Sequence, residues 1–203
     1  YTQDGFTHGT SNPDKLLNVA NHFYSNVKGE WHCLKMTVES LAAAGVKVVY
    51  EGTAPVGDKA PDFKVINELG EEMKLGDFSG KKLILYFYPK DSTPGCTVES
   101  CNLRDNYVDL KEKGFEVLGV SADGEVSHKK FIKNHELPFH LLADTEKEVL
   151  NSYGVWGPKK FMGRTFDGIH RTTFIINENG VIERVFTKVK TKEHTEQILE
   201  SYQ

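Results

Sequence analysis

Blocks of apolar residues alternate with polar and turn-forming residues through most of the chain, and they predict strands and helices in turn. The continuous apolar run KLILYFY, residues 82–88, is typical of a strand buried on both faces. FEVLGVSA, residues 115–122, predicts a second buried strand. Between these strands, apolar residues recur at helical spacing from about Cys96 to Lys113, and Gly114 follows as a stop signal. This order predicts a sheet that is covered by helices.

Shorter patterns fill the rest of the same region. FKVI and EEMKL flank the turn signal NELG and predict a small hairpin, and RTTFIINENGVIERVFTKV predicts a second hairpin around NENG. EVSHKKFIKNHE and EKEVLNSYG are predicted helices, and FHLLAD is a predicted short strand. TKEHTEQILESY predicts a closing helix with Thr191 as its N-cap. We expect residues 157–168 to form a solvated loop that borders the functional pocket.

A separate N-terminal region precedes this pattern. GTAPVGDKAPDF, residues 52–63, concentrates Gly, Pro and Asp and is typical of a linker or domain boundary. Before it, two stretches have helical periodicity and VKVVYEG resembles a strand. We therefore expect a helical or α/β extension of unknown role at residues 1–54 and an α/β domain on a mixed sheet at residues 55–203. Cys33 lies in the extension, and we interpret it as a buried or incidental thiol.

Composition limits the possible functions. With 38% hydrophobic and 11% aromatic residues, the 203-residue chain can form a core. A net charge of −4 gives no electrostatic footprint for nucleic acid. No apolar run approaches the length that spans a bilayer, and no export signal is visible, so we expect no membrane contact and a cytoplasmic location. In a reducing compartment, a pair of thiols is more often catalytic than structural.

Two of the three cysteines lie close together in YPKDSTPGCTVESC, residues 88–101. Pro94 and Gly95 place Cys96 in the first turn of the predicted helix, where free N–H groups and the helix dipole favour a thiolate. An ordinary thiol is only about 3% ionised at pH 7, and raising this to about 90% takes roughly 3.4 kcal/mol. A helix terminus supplies about 0.3–2 kcal/mol. We therefore expect at least one cation near Cys96.

The five-residue spacing of Cys96 and Cys101 also carries a constraint. In an intact helix their Cα atoms lie about 8–9 Å apart, whereas a disulfide needs about 4.4–6.8 Å. The two thiols can therefore join only after at least one turn unwinds. The spacing alone leaves two interpretations open, a redox pair or two small buried hydrophobic residues. Zinc is disfavoured, because there is no second cysteine pair and no usual histidine spacing, and we expect no metal or cofactor.

The segment YPKDSTPGCTVESCNLRD resembles the active-site segment of peroxiredoxins of the bacterioferritin-comigratory-protein or PrxQ type, in the AhpC/TSA superfamily. Pro89, Thr93 and Cys96 match the family pattern P-x-x-x-T-x-x-C, and Cys101 matches the second cysteine of this type. APDF, GVSAD, PFHLLAD, YGVWG and HRTTFIINENG resemble further family segments in the same order. The resemblance runs from about residue 55 to the C-terminus and implies a thioredoxin fold, a mixed central sheet flanked by helices.

The resemblance implies a thiol-dependent peroxidase that reduces hydrogen peroxide and organic hydroperoxides. Cys96 would attack the peroxide and become a sulfenic acid, and Cys101 would resolve it as an intramolecular disulfide. Thioredoxin or a similar dithiol would then reduce the disulfide. Thr93 would hydrogen-bond the thiolate and the peroxide, and Pro89 would shield the sulfur. Arg171, in HRTTF, would supply the cation that the ionisation of Cys96 requires.

Other residues near the motif receive lesser roles. Glu99 matches a glutamate common in this type, and we interpret it as a supporting residue. Arg104 and Asp105 also fit the family pattern, and an ion pair or packing on the helix face is the alternative interpretation. Tyr86 and Phe87 are expected to belong to the core.

Two rival functions remain. A disulfide reductase acting on proteins is disfavoured by the lack of C-x-x-C. A redox sensor or partner-binding module that uses the N-terminal extension is the alternative from another class. A monomer or weak homo-oligomer is expected.

Overall fold

The computed structural model describes residues 53–161 and 163–203 of the chain. Cys33 and the N-terminal extension up to residue 52 lie outside these residues, so the expectations for them stay predictions. The strands, in chain order, are β1 (Lys64–Ile66), β2 (Glu72–Lys74), β3 (Lys82–Phe87), β4 (Phe115–Ser121), β5 (Leu141–Ala143), β6 (Trp156–Phe161), β7 (Arg164–Ile169), β8 (Thr172–Ile176) and β9 (Ile182–Phe186). The helices are α1 (Pro94–Asp105), α2 (Tyr107–Glu112), α3 (Glu125–His135), α4 (Glu148–Ser152) and α5 (His194–Glu200), and a short 3₁₀ helix spans Leu75–Phe78.

The main sheet has five strands in the order β5-β4-β3-β8-β9. β3 runs parallel to β4, and β4 runs parallel to β5, because helices connect these strands. β8 pairs antiparallel with both β3 and β9, and the β8–β9 hairpin is the one expected around NENG. The mixed α/β sheet predicted from the sequence is thus confirmed.

The central strand β3 is buried on both faces, as its continuous apolar run predicted. Leu83, Leu85 and Phe87 face one core, and Ile84 and Tyr86 face the other. The second core is completed by residues from α1, α2, α3 and α5, namely Leu103, Leu110, Phe131 and Ile198. The first is completed by residues from α4 and from the segment before β1, namely Ala54, Ala60, Phe63, Val149 and Leu150. Helices on both faces make three layers.

The helix expected from Cys96 to Lys113 differs from the structure in two ways. It begins two residues earlier, at Pro94, and it is divided into α1 and α2 at Asn106. Asn106 has φ −106° and ψ 12°, outside the helical range, and its side-chain amide donates to the Asn102 carbonyl at 2.9 Å. An asparagine side chain that bonds the backbone in this way competes with helix propagation.

The N-cap of the last helix is a second correction. The N-cap of α5 is Glu193 rather than Thr191, and Glu193 makes no side-chain capping bond. The acceptor comes instead from α1, since Asn102 Oδ1 receives the N–H of Thr195 at 2.8 Å. A cap supplied by another helix leaves no signal in the local sequence.

Two segments that the sequence predicted to be a loop and a linker make defined contacts with neighbouring elements. Residues 157–161 and 164–168 lie in the two strands of the antiparallel hairpin β6–β7 rather than in a solvated loop, and Gly163 (φ 78°) lies just before the second strand. The segment of residues 53–63 packs into the first core through Ala54, Ala60 and Phe63. The N–H of Ala54 bonds to the Tyr153 carbonyl at the end of α4, and that of Ala60 bonds to the Gly180 carbonyl in the β8–β9 turn. Within the described residues, no helix is both long and apolar enough to span a bilayer.

Candidate active site

Cys96 lies at the third position of α1, directly after the loop that leaves the end of β3. Pro94 is the first residue of the helix, so Cys96 lies in the first turn, as the sequence predicted. Thr93 is the N-cap, but its side chain makes no capping bond. The first-turn N–H groups therefore remain available, and the positive end of the helix dipole points toward the sulfur. Cys96 is only 1% exposed, so this electrostatic effect acts in a largely water-free environment.

Arg171 is the cation that the structure places beside Cys96. Its Nη2 donates to Cys96 Sγ at 3.2 Å, although 75 residues separate the two along the chain. The pairing of β3 with β8 explains the contact. Thr172, at the start of β8, is opposite Phe87 at the end of β3, so Arg171 lies beside the point where the chain turns toward α1.

Glu99 holds Arg171 from the other side. Arg171 Nη1 donates to Glu99 Oε2, and Glu99 is completely buried. Burial raises the pKa of this carboxyl to about 7, although the charge and hydrogen bond of Arg171 act in the opposite direction. Its second oxygen, Oε1, has no hydrogen-bond partner within the described part of the chain. Glu99 therefore lies within the site, in contact with the residue that binds Cys96, and its role as a supporting residue stays a prediction.

Gly95 is a member of the site that the sequence did not single out. A Cβ atom at this position would lie 3.4 Å from Arg171 Nη2, so the guanidinium lies almost directly on the backbone of the first turn. A Cβ atom would be in close van der Waals contact with the guanidinium, so little room is left for a side chain longer than alanine toward Arg171. The only signal in the sequence was the P-G pair before the cysteine, which indicated a turn rather than a close approach.

Thr93 and Pro89 lie in the loop before α1, near the sulfur in sequence. The Thr93 hydroxyl donates to the Lys90 carbonyl at 3.0 Å, so its proton is directed at the backbone and not at Cys96. Pro89 is half-buried. Ser92 has φ 58°, a left-handed conformation uncommon for a residue other than glycine. Such backbone conformations persist where surrounding contacts hold them in place.

A buried polar cluster holds this loop, and the sequence did not predict it. Asp91 accepts hydrogen bonds from Tyr88 and Ser127, each at 2.7 Å, and its Oδ2 lies 2.9 Å from His128 Nδ1. Burial alone would raise the pKa of Asp91, but the hydrogen bond and charge of His128 lower it below its usual value. The N–H of Asp91 also donates to Asp123 Oδ2 at 2.9 Å. The sequence signal that could have indicated this cluster is that Asp91 follows β3 and Asp123 follows β4, the adjacent parallel strand.

Cys101 lies in the same helix as Cys96, and neither forms a disulfide. Its helix is continuous between the two residues, so the spacing argument applies to this structure. Cys101 is half-buried, in contrast to Cys96. Beyond it, Arg104 forms the expected ion pair with Asp105, with Nη2 and Oδ1 2.7 Å apart.

The surroundings of Arg171 include a cavity of about 480 Å³. Its lining includes Trp156, His170 and Arg171 but not Cys96, so the cavity adjoins the site without containing the reacting sulfur. Lys159, on β6, lies close enough to Arg171 and to Cys96 to interact electrostatically with both. Burial and the charge of Arg171 lower the pKa of Lys159. Within residues 53–161 and 163–203, no three His, Cys, Asp or Glu side chains are grouped as a metal site needs.

Comparison with known proteins agrees with this geometry. Residues 56–185 match the AhpC/TSA family. Peroxiredoxin Bcp of Escherichia coli is 47% identical over 143 residues, which are 70% of this chain and 92% of that protein. Peroxiredoxin Bcp of Bacillus subtilis is 42% identical over 149 residues, 73% of this chain and 95% of that protein. The solved structure of Xanthomonas campestris peroxiredoxin Q is 31% identical with a TM-score of 0.65, covering 68% of this chain and 88% of that chain.

A mixed sheet with a buried, arginine-bound cysteine at a helix start defines the class as a thiol peroxidase with a thioredoxin fold. The chain belongs to the AhpC/TSA family, as a peroxiredoxin of the bacterioferritin-comigratory-protein or PrxQ type. It is therefore an oxidoreductase that uses a hydroperoxide and a thiol reductant.

Proposed function

We propose that Cys96 reduces hydrogen peroxide and organic hydroperoxides, that Cys101 resolves the product as an intramolecular disulfide, and that thioredoxin or a similar dithiol protein restores both thiols. The observation that carries this proposal is the bridge formed by Arg171, which donates to Cys96 Sγ at 3.2 Å and to Glu99 Oε2. A fixed guanidinium favours a thiolate and leaves a cation in place for the negative charge that develops on the peroxide oxygens.

In the first step, the Cys96 thiolate attacks one oxygen of the peroxide. The S–O bond forms as the O–O bond breaks, and the leaving oxygen takes a proton to become an alcohol or water. The sulfur is oxidised to a sulfenic acid. Because Cys96 is buried, little water competes for the charges of Arg171 and the helix N-terminus.

Thr93 and Pro89 complete the site from the loop. Because the Thr93 proton is engaged by the Lys90 carbonyl, the hydroxyl oxygen is left with acceptor capacity that suits the O–H of a bound hydroperoxide. Pro89 lacks an N–H group and presents an apolar ring that limits access of water to the sulfur. The Asp91–His128 cluster fixes the loop that carries both residues.

Glu99 keeps Arg171 in place. A carboxyl with a pKa of about 7 is partly protonated at neutral pH, so its attraction for Arg171 changes with pH near 7. The ionised form draws the guanidinium more strongly toward itself, and the protonated form leaves more of the cation's field for Cys96.

In the second step, Cys101 attacks the sulfenic sulfur after α1 unwinds locally. The S–S bond forms, the S–O bond breaks, and the oxygen leaves as water once protonated. Reduction of this disulfide by a dithiol then returns both cysteines to the state seen in the structure.

The experiment that tests the proposal is peroxide consumption coupled to thioredoxin oxidation. We expect wild-type protein to turn over repeatedly and Cys96→Ser to be inactive. Cys101→Ser should complete one round of peroxide reduction and then stop, because its sulfenic acid has no intramolecular partner. Normal cycling of Cys101→Ser with thioredoxin would refute resolution by Cys101. Slow oxidation of Cys96 without turnover in the wild type would favour the redox-sensor alternative.

A further inference from the structure

Asn102, the residue after Cys101, ties the second half of α1 to the start of α5. Its Oδ1 accepts the backbone N–H of Thr195 at 2.8 Å, and its Nδ2 donates to the Lys192 carbonyl at 3.0 Å. The Thr195 hydroxyl donates to the Asn102 carbonyl at 3.4 Å. Asn102 therefore bonds across the two helices through both its side chain and its backbone.

The contact also serves as the N-terminal cap of α5. Thr195 is the second residue of that helix, and its N–H has no partner within the helix. The helix's own N-cap residue, Glu193, makes no side-chain capping bond. Loss of Asn102 from its position would thus leave the first turn of α5 without this acceptor.

Burial indicates which part of α1 moves during resolution. Cys96, Glu99 and Ser100 are at most 1% exposed, and Ser100 Oγ bonds to the hydroxyl of Tyr86 at 3.0 Å. Cys101 itself is half-buried. Unwinding after Ser100 therefore disturbs fewer buried polar contacts than unwinding before it. Bringing the two cysteine Cα atoms within disulfide range requires a shift of about 2 Å or more.

A shift of this size next to Cys101 breaks the bonds of Asn102, because a donor and acceptor moved from about 3 Å to about 5 Å no longer form a hydrogen bond. We propose that Asn102 is a latch: it sets the rate at which Cys101 reaches oxidised Cys96, and so the share of Cys96 that is overoxidised. The inference rests on the proposed resolution by Cys101.

Two reactions compete for the sulfenate of Cys96. While the latch is closed, a second hydroperoxide can transfer one oxygen to the sulfur, which gives a sulfinate and an alcohol or water. Once the latch opens, Cys101 attacks the same sulfur in its protonated, sulfenic acid form. The S–S bond forms, the S–O bond breaks, and the leaving oxygen takes the Cys101 thiol proton to become water. Faster opening therefore lowers the yield of sulfinate at a given peroxide concentration.

Asn102→Ala tests the latch because helix propensity and the latch predict opposite changes in the rate of disulfide formation. Alanine is the better helix former, so if local helix stability alone controlled unwinding, the variant should form the disulfide more slowly. The latch predicts the opposite, a rate about tenfold higher, because the hydrogen bonds to α5 are lost. The rate of Cys96 oxidation should not change. Rapid quenching with a thiol-alkylating reagent, followed by mass spectrometry, measures thiol, disulfide and sulfinate after one equivalent or an excess of hydrogen peroxide.

Two matched variants sharpen the test. Val98→Ala changes an exposed position of the same helix with a similar gain in helix propensity, and it should not accelerate the disulfide. Asn102→Asp keeps an acceptor for the Thr195 N–H but loses the donor to Lys192, and its rate should fall between wild type and Asn102→Ala.

Failure of the latch and failure of the proposed resolution give different results. If the wild type forms the Cys96–Cys101 disulfide and Asn102→Ala forms it no faster, the latch is wrong and the resolution stands. If the wild type forms no such disulfide, both are wrong. Amide hydrogen exchange of the wild type provides a measurement without any variant. Thr195 should exchange faster in the disulfide form than in the reduced form, and unchanged protection of Thr195 would overturn the latch.

Discussion

The two halves of α1 carry one cysteine each, and they are held in contrasting ways. The first half holds two buried polar side chains, Cys96 and Glu99, against the guanidinium of Arg171. The second half is anchored in the core by Leu103, and its polar contacts include the neutral, partly exposed hydrogen bonds of Asn102. Buried charged contacts cost more to break than neutral contacts near water.

Under the proposed mechanism the helix has two tasks, attack on the peroxide and resolution, and this difference suits both. Attack on a peroxide requires charges that are already in position, since their reorientation would add to the barrier. Resolution requires the opposite, a segment that leaves its position and returns in every cycle. One short helix meets both needs because its two halves are stabilised by interactions of different strength. The experiments below change each half in turn.

The largest effect is expected in the first half, from Arg171→Ala. Loss of this charged donor should lower the second-order rate constant for peroxide by about 10²–10³, and it should reduce the thiolate fraction of Cys96 at pH 7. Stopped-flow kinetics and the pH dependence of alkylation measure the two effects. Arg171→Lys should be intermediate, because a single ammonium cannot make both planar contacts. A rate within twofold of wild type would contradict the role assigned to the guanidinium.

Glu99→Gln should change the pH dependence of stability. The pKa of Glu99 is raised from 4.5 to about 7 in the folded protein, so the folded state holds this proton more firmly than the unfolded chain does. Its contribution to stability is therefore fully present below pH 4.5 and is lost as pH rises through 7, by about 3 kcal/mol. The variant lacks this titration.

Urea denaturation from pH 4.5 to 8 measures the effect as the difference in free energy of unfolding between wild type and Glu99→Gln. This difference should fall with rising pH, and other titrating groups common to both proteins cancel. Val98→Ala, an uncharged change in the same helix, should give a difference from wild type that does not depend on pH. A constant difference for Glu99→Gln as well would contradict the raised pKa.

The smallest effect is expected in the second half, from Asp105→Asn. The side chain of Asp105 is 62% exposed and that of Arg104 is 30% exposed, so water and salt screen their ion pair. The free energy of unfolding should change by no more than about 0.5 kcal/mol. The rate of disulfide formation should stay at the wild-type value, since Arg104 keeps its bond to the His135 carbonyl. Faster disulfide formation in this variant would mean that ion pairs, and not Asn102 alone, restrain the second half.

Some members of the site were predictable because their signals are local. The apolar run of β3 and the Pro94–Gly95 pair predicted a strand followed by a helix that begins near Cys96. Arg171 and Glu99 were named through the resemblance to the family, but the bridge that Arg171 forms between Cys96 and Glu99 was not predicted. The Asp91–His128 cluster was missed, because a buried aspartate and a buried histidine have the same local pattern as exposed ones.

The sequence by itself determined the alternation of strands and helices, the start of α1 and the five-residue separation of Cys96 from Cys101. Each depends on neighbours within a few residues, where propensity and helix geometry act. Only the tertiary structure decided that Arg171 bridges Cys96 and Glu99, and that Asn102 caps α5. The first contact depends on the pairing of β3 with β8, and the second on the packing of two helices about 90 residues apart in the chain. Such contacts depend on the global arrangement of packed elements, which no local pattern encodes.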